Sequence, residues 1–172
     1  AVSDIAARAG VSTPTVYRHF VDKQALLFAA TQSGVDTFES HTRDALLREE
    51  QRDRPDPAQA VVAAATTLSV SDPGATSLWR WSGQHLSDEQ NREVVRRTRG
   101  VLRRWAAAIA ESRPDLSERE SMYLAGAVLS VAGSVIGRLS RTDRQLAEST
   151  VEQLVWRLFT LRPALAPPLP EP

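Results

Sequence analysis

The sequence contains no cysteine and a single lysine, and both scarcities narrow what the protein can be. Without cysteine there can be no disulfide, no thiolate metal ligand and no cysteine nucleophile. Lys23 is the only lysine among 21 basic residues, so nearly all the positive charge comes from arginine. The formal net charge is zero, and any contact with nucleic acid must therefore be confined to one part of the surface.

Long apolar runs are also scarce. Residues 1–20 carry charges and lack the apolar segment of a signal peptide. The longest uncharged stretch, residues 121–137, is short for a membrane span and rich in glycine, alanine and serine, which favours a buried helix. We expect a cytoplasmic protein that makes no membrane contact.

Apolar residues recur at helical spacing almost throughout, and alternating β-branched runs are absent from the sequence, so the predicted fold class is all-α. A proline-rich tail, residues 163–172, is predicted to be disordered. Turn and capping residues place the predicted helices at 3–9, 13–20, 23 to about 52, 58–70, 75–86, 87 to about 113, 118–139 and 144–161.

The first two predicted helices are short and are joined by a tight turn at Gly10, which can adopt the positive φ that such a turn needs. Ser3 can cap the first helix and Ser12 the second, with Pro14 in its first turn. This is the helix-turn-helix pattern, in which the second helix enters the major groove of DNA. The apolar side that we expect to hold the two helices together comprises Ile5, Ala6, Ala9, Val11, Val16 and Phe20.

The side chains predicted to be exposed suit DNA. Thr13 and Thr15 can donate, accept or touch a thymine methyl group. Tyr17, His19 and Lys23 can reach phosphate oxygens. The alternative is a helical hairpin that only packs.

The run VSDIAARAGVSTPTVYRHF at residues 2–20, followed by Lys23 and the pair Leu26-Leu27, resembles the DNA-binding signature of the TetR (TetR/AcrR) family of repressors. The resemblance covers about the first 30 residues. It implies that Thr13, Pro14 and Thr15 face base edges or nearby backbone, and that Tyr17, His19 and Lys23 hold phosphates. Ser3 could contact phosphate, and Arg18 could read a base. The predicted DNA-binding residues are Ser3, Ser12, Thr13, Pro14, Thr15, Tyr17, Arg18, His19 and Lys23.

Domains of this family have three helices, the first of which precedes the motif. We expect that helix to lie upstream of Ala1. A chain that really began at Ala1 is expected to bind operator DNA poorly, because Ile5, Val16 and Phe20 would lack part of their cover.

The resemblance also implies a C-terminal helical domain that pairs with a second subunit and encloses a ligand. We expect residues 1–28 to form the DNA-binding domain and residues 29–162 the ligand-binding and dimerisation domain. The last two helices, with many small residues, would form a four-helix bundle with their copies in a homodimer; the alternative is a buried hairpin in a monomer. The predicted interface residues are Leu124, Val128, Val131, Val135, Val151, Leu154, Val155 and Leu158.

Tryptophans and aliphatic residues with a few polar groups are typical of a ligand pocket, although each tryptophan could equally belong to the core. Arg80 could meet the phosphate of an acyl-coenzyme A-like ligand. The predicted ligand-binding residues are Leu78, Trp79, Trp81, Ser82, His85, Leu102, Trp105 and Ile109.

We therefore expect a repressor that binds double-stranded operator DNA and is released by a small hydrophobic or acyl-type effector. The alternative is a regulator of the same type without a small-molecule effector, controlled by a partner or acting as an activator. We expect no enzyme, catalytic residue, cofactor or metal, because no nucleophile elbow, metal-ligand spacing or glycine-rich phosphate loop occurs in the sequence.

Overall fold

The computed structural model describes residues 1–71, 85–139 and 144–161, and these ranges contain seven helices and no strand, which confirms the all-α prediction. The predicted helix at 75–86 and the tail at 163–172 lie outside the described residues, except that residues 85 and 86 form a turn. The helices are α1 (Val2–Arg8), α2 (Thr13–His19), α3 (Lys23–Glu50), α4 (Pro57–Ser71), α5 (Asp88–Ser112), α6 (Glu118–Leu139) and α7 (Arg144–Thr160).

Side-chain caps begin the helices where the sequence predicts them. Asp22 Oδ1 accepts a hydrogen bond from the backbone N–H of Ala25 at 2.7 Å and so starts α3. Ser87 and Gln90 form a capping box at the start of α5. The prediction that Ser3 caps α1 is wrong: the helix starts at Val2, whose side chain is buried, and Ser3 lies exposed within the first turn.

Helix α4 forms the centre of the body. Residues 57–71 include no charged residue, and the helix packs against α3, α5, α6 and α7. Its buried side chains are mostly alanine and valine, which let neighbouring helices approach closely. Ser69, also buried, donates a hydrogen bond to the carbonyl oxygen of Ala132 on α6 at 3.1 Å, so even its polar group is satisfied.

The long helix α3 joins the N-terminal helices to this body. Its residues Phe38 and Ala45 belong to the main hydrophobic core. Trp105 of α5 packs edge-on against Phe38 with ring centroids 5.1 Å apart, and its indole N–H donates to Thr42 Oγ1 at 3.0 Å. The expected boundary between residues 28 and 29 falls inside α3, so the two expected domains share one continuous helix.

None of the helices in the described ranges is both long enough and apolar enough to cross a membrane.

Candidate nucleic-acid interface

Local hydrogen bonds build the turn between α1 and α2. Gly10 has φ of +67°, the left-handed conformation that L side chains rarely adopt. The N–H of Gly10 donates to the carbonyl of Ala7 at 3.2 Å, and that of Val11 donates to the carbonyl of Ala6 at 3.0 Å. These bonds satisfy carbonyl groups at the end of α1 and direct the chain into α2.

A small cluster holds the two helices together. Val2, Ala6 and Val16 are buried, and Phe20 and Leu26 pack against them half-buried. Val2 and Ala6 are four residues apart and therefore lie on one face of α1. Val2 was not among the residues predicted for this cluster, although this spacing from Ala6 indicated it. The predicted packing of Ala9 and Val11 in this cluster is wrong, because both are exposed. Ile5 is exposed as well, which agrees with the expectation that it lacks part of its cover.

The opposite side of α2 is open to solvent. Pro14, Tyr17, Arg18 and His19 are exposed, with half of the Tyr17 surface accessible. Lys23 is exposed at the start of α3. Polar and cationic side chains of the predicted DNA-binding set are thus presented together on one short segment.

Three further members of the predicted set lie around the start of α2. Ser12 is exposed, whereas Thr13 and Thr15 are half-buried. Ser12 Oγ accepts a hydrogen bond from the backbone N–H of Thr15 at 3.3 Å and lies 2.8 Å from Thr15 Oγ1. Ser12 therefore helps to cap the helix, and the Thr15 hydroxyl shares one hydrogen bond with it. Ser3 lies on α1, also exposed.

The positive charges at this surface are available to a ligand. Within residues 1–71, 85–139 and 144–161, no carboxylate lies within ion-pair distance of Arg18, His19 or Lys23. The neighbouring Asp22 uses its carboxylate to cap α3. Cations that are not neutralised by the protein can interact with phosphate oxygens.

An apolar groove of about 550 Å³ lies beside this surface. Ile5 of α1 forms one part of it, and Leu26 and Leu27 of α3 form another. His85, one of the predicted ligand-binding residues, also lines it and is exposed. The structure therefore places His85 at the junction of the N-terminal helices and the body.

The other predicted ligand-binding residues are not brought together with His85. Trp105 and Ile109 are buried in the main core, and Leu102 packs against that core half-buried. Trp105 and Ile109 do not line the groove that His85 lines. The remaining four lie outside the described residues: Leu78, Trp79, Trp81 and Ser82.

The predicted dimer residues differ in how far the single chain buries them. Leu124, Val128, Val151 and Val155 are buried in the core of the single chain. Two others, Val131 and Leu158, are half-buried, whereas Leu154 is exposed. The side chain of Val135 lies outside the described residues.

Comparison with known families agrees with this N-terminal geometry. The model for bacterial regulatory proteins of the tetR family matches residues 1–30. This range contains α1, the Gly10 turn, α2 and the first two turns of α3, and it confirms the resemblance drawn from the sequence. A search of curated proteins gave no significant match.

Substitution of Gly10 by alanine tests the turn. No atom lies within 4 Å of a Cβ built there, so the cost is conformational alone. We expect Gly10→Ala to lower the free energy of unfolding by about 1–2 kcal/mol, measured by urea denaturation. Gly100→Ala is the control, because Gly100 lies within α5 with similar free space, and alanine there should stabilise by about 0.5–1 kcal/mol. Equal effects of the two substitutions would contradict a special role of the Gly10 backbone.

Proposed function

We propose that this DNA-binding transcription regulator of the tetR family is a repressor that binds operator DNA as a homodimer and is released by a small hydrophobic or acyl-type ligand. The observation that carries the proposal is the exposed, unneutralised surface of α2 and Lys23 on a segment that the family model matches. In this proposal, residues 1–28 bind DNA and residues 29–162 bind the ligand and the second subunit. Because the target is chromosomal DNA, we place its action in the cytoplasm.

The geometry suggests that different residues contact the bases and the phosphates of the DNA. The N-terminal end of α2 would enter the major groove, where Thr13, Pro14 and Thr15 would lie next to base edges. Further along, Tyr17, His19 and Lys23 would contact phosphates and so set the orientation of the helix. Arg18 and Ser3 would add outer contacts, with Ser12 near the backbone at the helix start.

Substitution of Lys23 tests the phosphate contact. We expect Lys23→Gln to weaken operator binding on every DNA sequence and to reduce the slope of log affinity against log salt by about 1, because one counterion fewer is released. Fluorescence anisotropy across a salt series measures this slope. Arg103→Gln removes the same charge from an exposed position on α5 and should leave the slope unchanged. An unchanged slope for Lys23→Gln would exclude the contact.

The homodimer is proposed to form through the outward surfaces of α6 and α7. Four of the predicted residues are already covered within the subunit, so contact with a second copy falls to outward-facing positions. On α7, Leu146 and Leu154 are exposed, as is Leu161 just after its end. Steps of eight and seven residues place these three leucines on one side of the helix. On α6, Gly126 and its small neighbours would allow close approach of the partner helix.

A charge at Leu154 tests this interface. We expect Leu154→Glu to convert a dimer into a monomer, measured by sedimentation velocity, because a carboxylate would be buried against apolar side chains without a partner. Leu47→Glu is the control, since Leu47 on α3 is a similarly exposed leucine away from α6 and α7. A Leu154→Glu protein that sediments like the wild type would reject this surface.

Two candidate modes of control remain distinct. Release by a ligand is supported by the tetR-type N-terminal region and by the tryptophan-containing segment at 79–81 that the sequence predicts as a pocket wall. Control without a small molecule, by a partner or by activation, is favoured by the placement of Trp105 and Ile109 in a packed core. In that second mode the body would serve dimerisation and partner binding.

A ligand screen separates the two modes. If an effector binds the folded protein, it must raise the melting temperature, by an amount equivalent to about 2.7 kcal/mol at a concentration of about 100 times Kd. We expect a hit among acyl-coenzyme A thioesters or free fatty acids, and the same compound should displace labelled operator DNA. Compounds that stabilise the protein without releasing DNA, or an absence of hits, would favour control by a partner.

A further inference from the structure

Helix α3 connects the DNA-binding surface, which lies at its first residues, to the body of the protein. Its first residue is Lys23, and Leu26 one turn later packs into the cluster of Val2, Ala6 and Val16. Further along, Phe38 belongs to the core of the body. The direction of α3 relative to the body therefore decides where the DNA-binding surface points.

The contact between α3 and α5 has a polar part and an apolar part. The apolar part contains Phe38 and Trp105, which pack edge to face. The polar part, which we name the polar seam, lies nearer the N-terminal helices and consists of Gln24, Gln32, Asp36 and Glu39 of α3 with Gln90 and Arg97 of α5.

Arg97 makes most of the bonds in the polar seam. Its guanidinium donates to Gln32 Oε1 at 2.8 Å, to Asp36 Oδ1 at 2.6 Å and to both Glu39 carboxylate oxygens at 2.7 and 3.2 Å. Only 19% of the Arg97 side chain and 29% of the Glu39 side chain are exposed, so solvent screens this pair less than it screens pairs on the open surface, whereas Asp36 is largely exposed. The hydrogen bonds to Glu39, followed by those to Asp36, outweigh partial burial and raise the pKa of Arg97.

The three acceptors restrict how α3 can lie. Gln32, Asp36 and Glu39 are spaced four and three residues apart and so form one row along α3. A planar guanidinium reaches all three at once over only a narrow range of axial positions and rotations of α3 relative to α5. Hydrophobic contacts have no such directional requirement. The hydrogen bond from the Trp105 indole N–H to Thr42 Oγ1 is directional but joins a single pair of atoms, so α3 could still change its angle about that point.

A small change in the angle of α3 at the polar seam produces a large displacement of its DNA-binding end. Sixteen residues separate Glu39 from Lys23, which is about 24 Å of helix. A change of about 10° in the direction of α3 would thus move Lys23 by roughly 4 Å. Two DNA-binding surfaces of a dimer must match half-sites about 34–36 Å apart, so a shift of that size in each subunit would spoil the match.

We propose that Arg97 is a positioning residue for operator recognition: its guanidinium fixes the direction of α3 on α5 and thereby the separation of the two DNA-binding surfaces. This inference rests on the proposed function as a dimeric operator-binding protein. It predicts that Arg97 affects binding to two half-sites together and leaves binding to one half-site alone.

The test compares two duplexes with the full-length protein. Both come from DNA selected by the wild type from a random-sequence pool: one is the complete palindromic site, and the other contains one half-site. We expect Arg97→Gln to weaken binding to the palindrome by at least about tenfold, within the usual range of coupling between sites, and to leave half-site affinity unchanged. Arg97→Lys should not restore the affinity, because an ammonium group cannot reach the three acceptors as the planar fork does.

Neighbouring substitutions provide the controls. Arg96→Gln removes the same charge one residue away and should bind the palindrome like the wild type. The Arg96 side chain is exposed, and within the part of the chain that the structure describes its bonds go to Glu93 of its own helix. Glu39→Gln removes a bond acceptor while leaving Arg97 in place and should reproduce the loss. The double variant Arg97→Gln/Glu39→Gln should lose about as much affinity as the worse single variant and clearly less than the sum of the two losses, since both substitutions break the same interaction.

The outcomes separate the two proposals. Wild-type affinity of Arg97→Gln for the palindrome would overturn the inference. An equal loss on palindrome and half-site, accompanied by a lower melting temperature, would also overturn it, because Arg97 would then only stabilise the fold. Failure of the wild type to select any DNA from the pool would instead reject the proposed function, and the inference with it.

Discussion

Burial of the uncharged helix α4 is the constraint on which the rest of the body depends. Four helices pack around it, and its small side chains set how closely they can approach. Most of the surface of such a helix is apolar, so burial against several neighbours is favourable, and only a narrow strip around Ala63 remains exposed. The positions of α3, α5, α6 and α7 follow from that burial, and with them the place where the DNA-binding surface is attached.

Helix α3 connects this packed body to the N-terminal helices. One end lies in the small cluster around Val16, and the middle lies in the main core. Directional hydrogen bonds of Arg97 and Trp105 then choose one arrangement among those that apolar packing alone would permit. Apolar burial thus stabilises the packing of α3 on α5, whereas the polar bonds between the two helices fix the angle of α3. A DNA-binding protein needs both, since recognition requires correct placement as well as stability.

The N-terminal surface combines structural and recognition roles in adjacent residues. Gly10, Ser12 and Asp22 form the turn and the caps, and exposed side chains between them, such as Tyr17 and Arg18, can contact DNA. The Asp22 carboxylate caps α3 and forms no ion pair with Arg18 or Lys23. The matched family range ends inside α3. Beyond it, the side chains of α3 begin to pack against the body.

The sequence by itself determined the N-terminal motif, the caps at Ser12, Asp22 and Ser87, and most boundaries of the described helices, because these depend on residues three or four positions apart. It could not decide which apolar faces a subunit covers by itself. Val128 and Val155 were expected at a dimer interface and lie in the core of one chain, and Val11 was expected inside and is exposed. Periodicity shows that a helix has an apolar side but does not show what covers it. Arg97 and Glu39 are 58 residues apart, so only the tertiary structure could reveal that they meet.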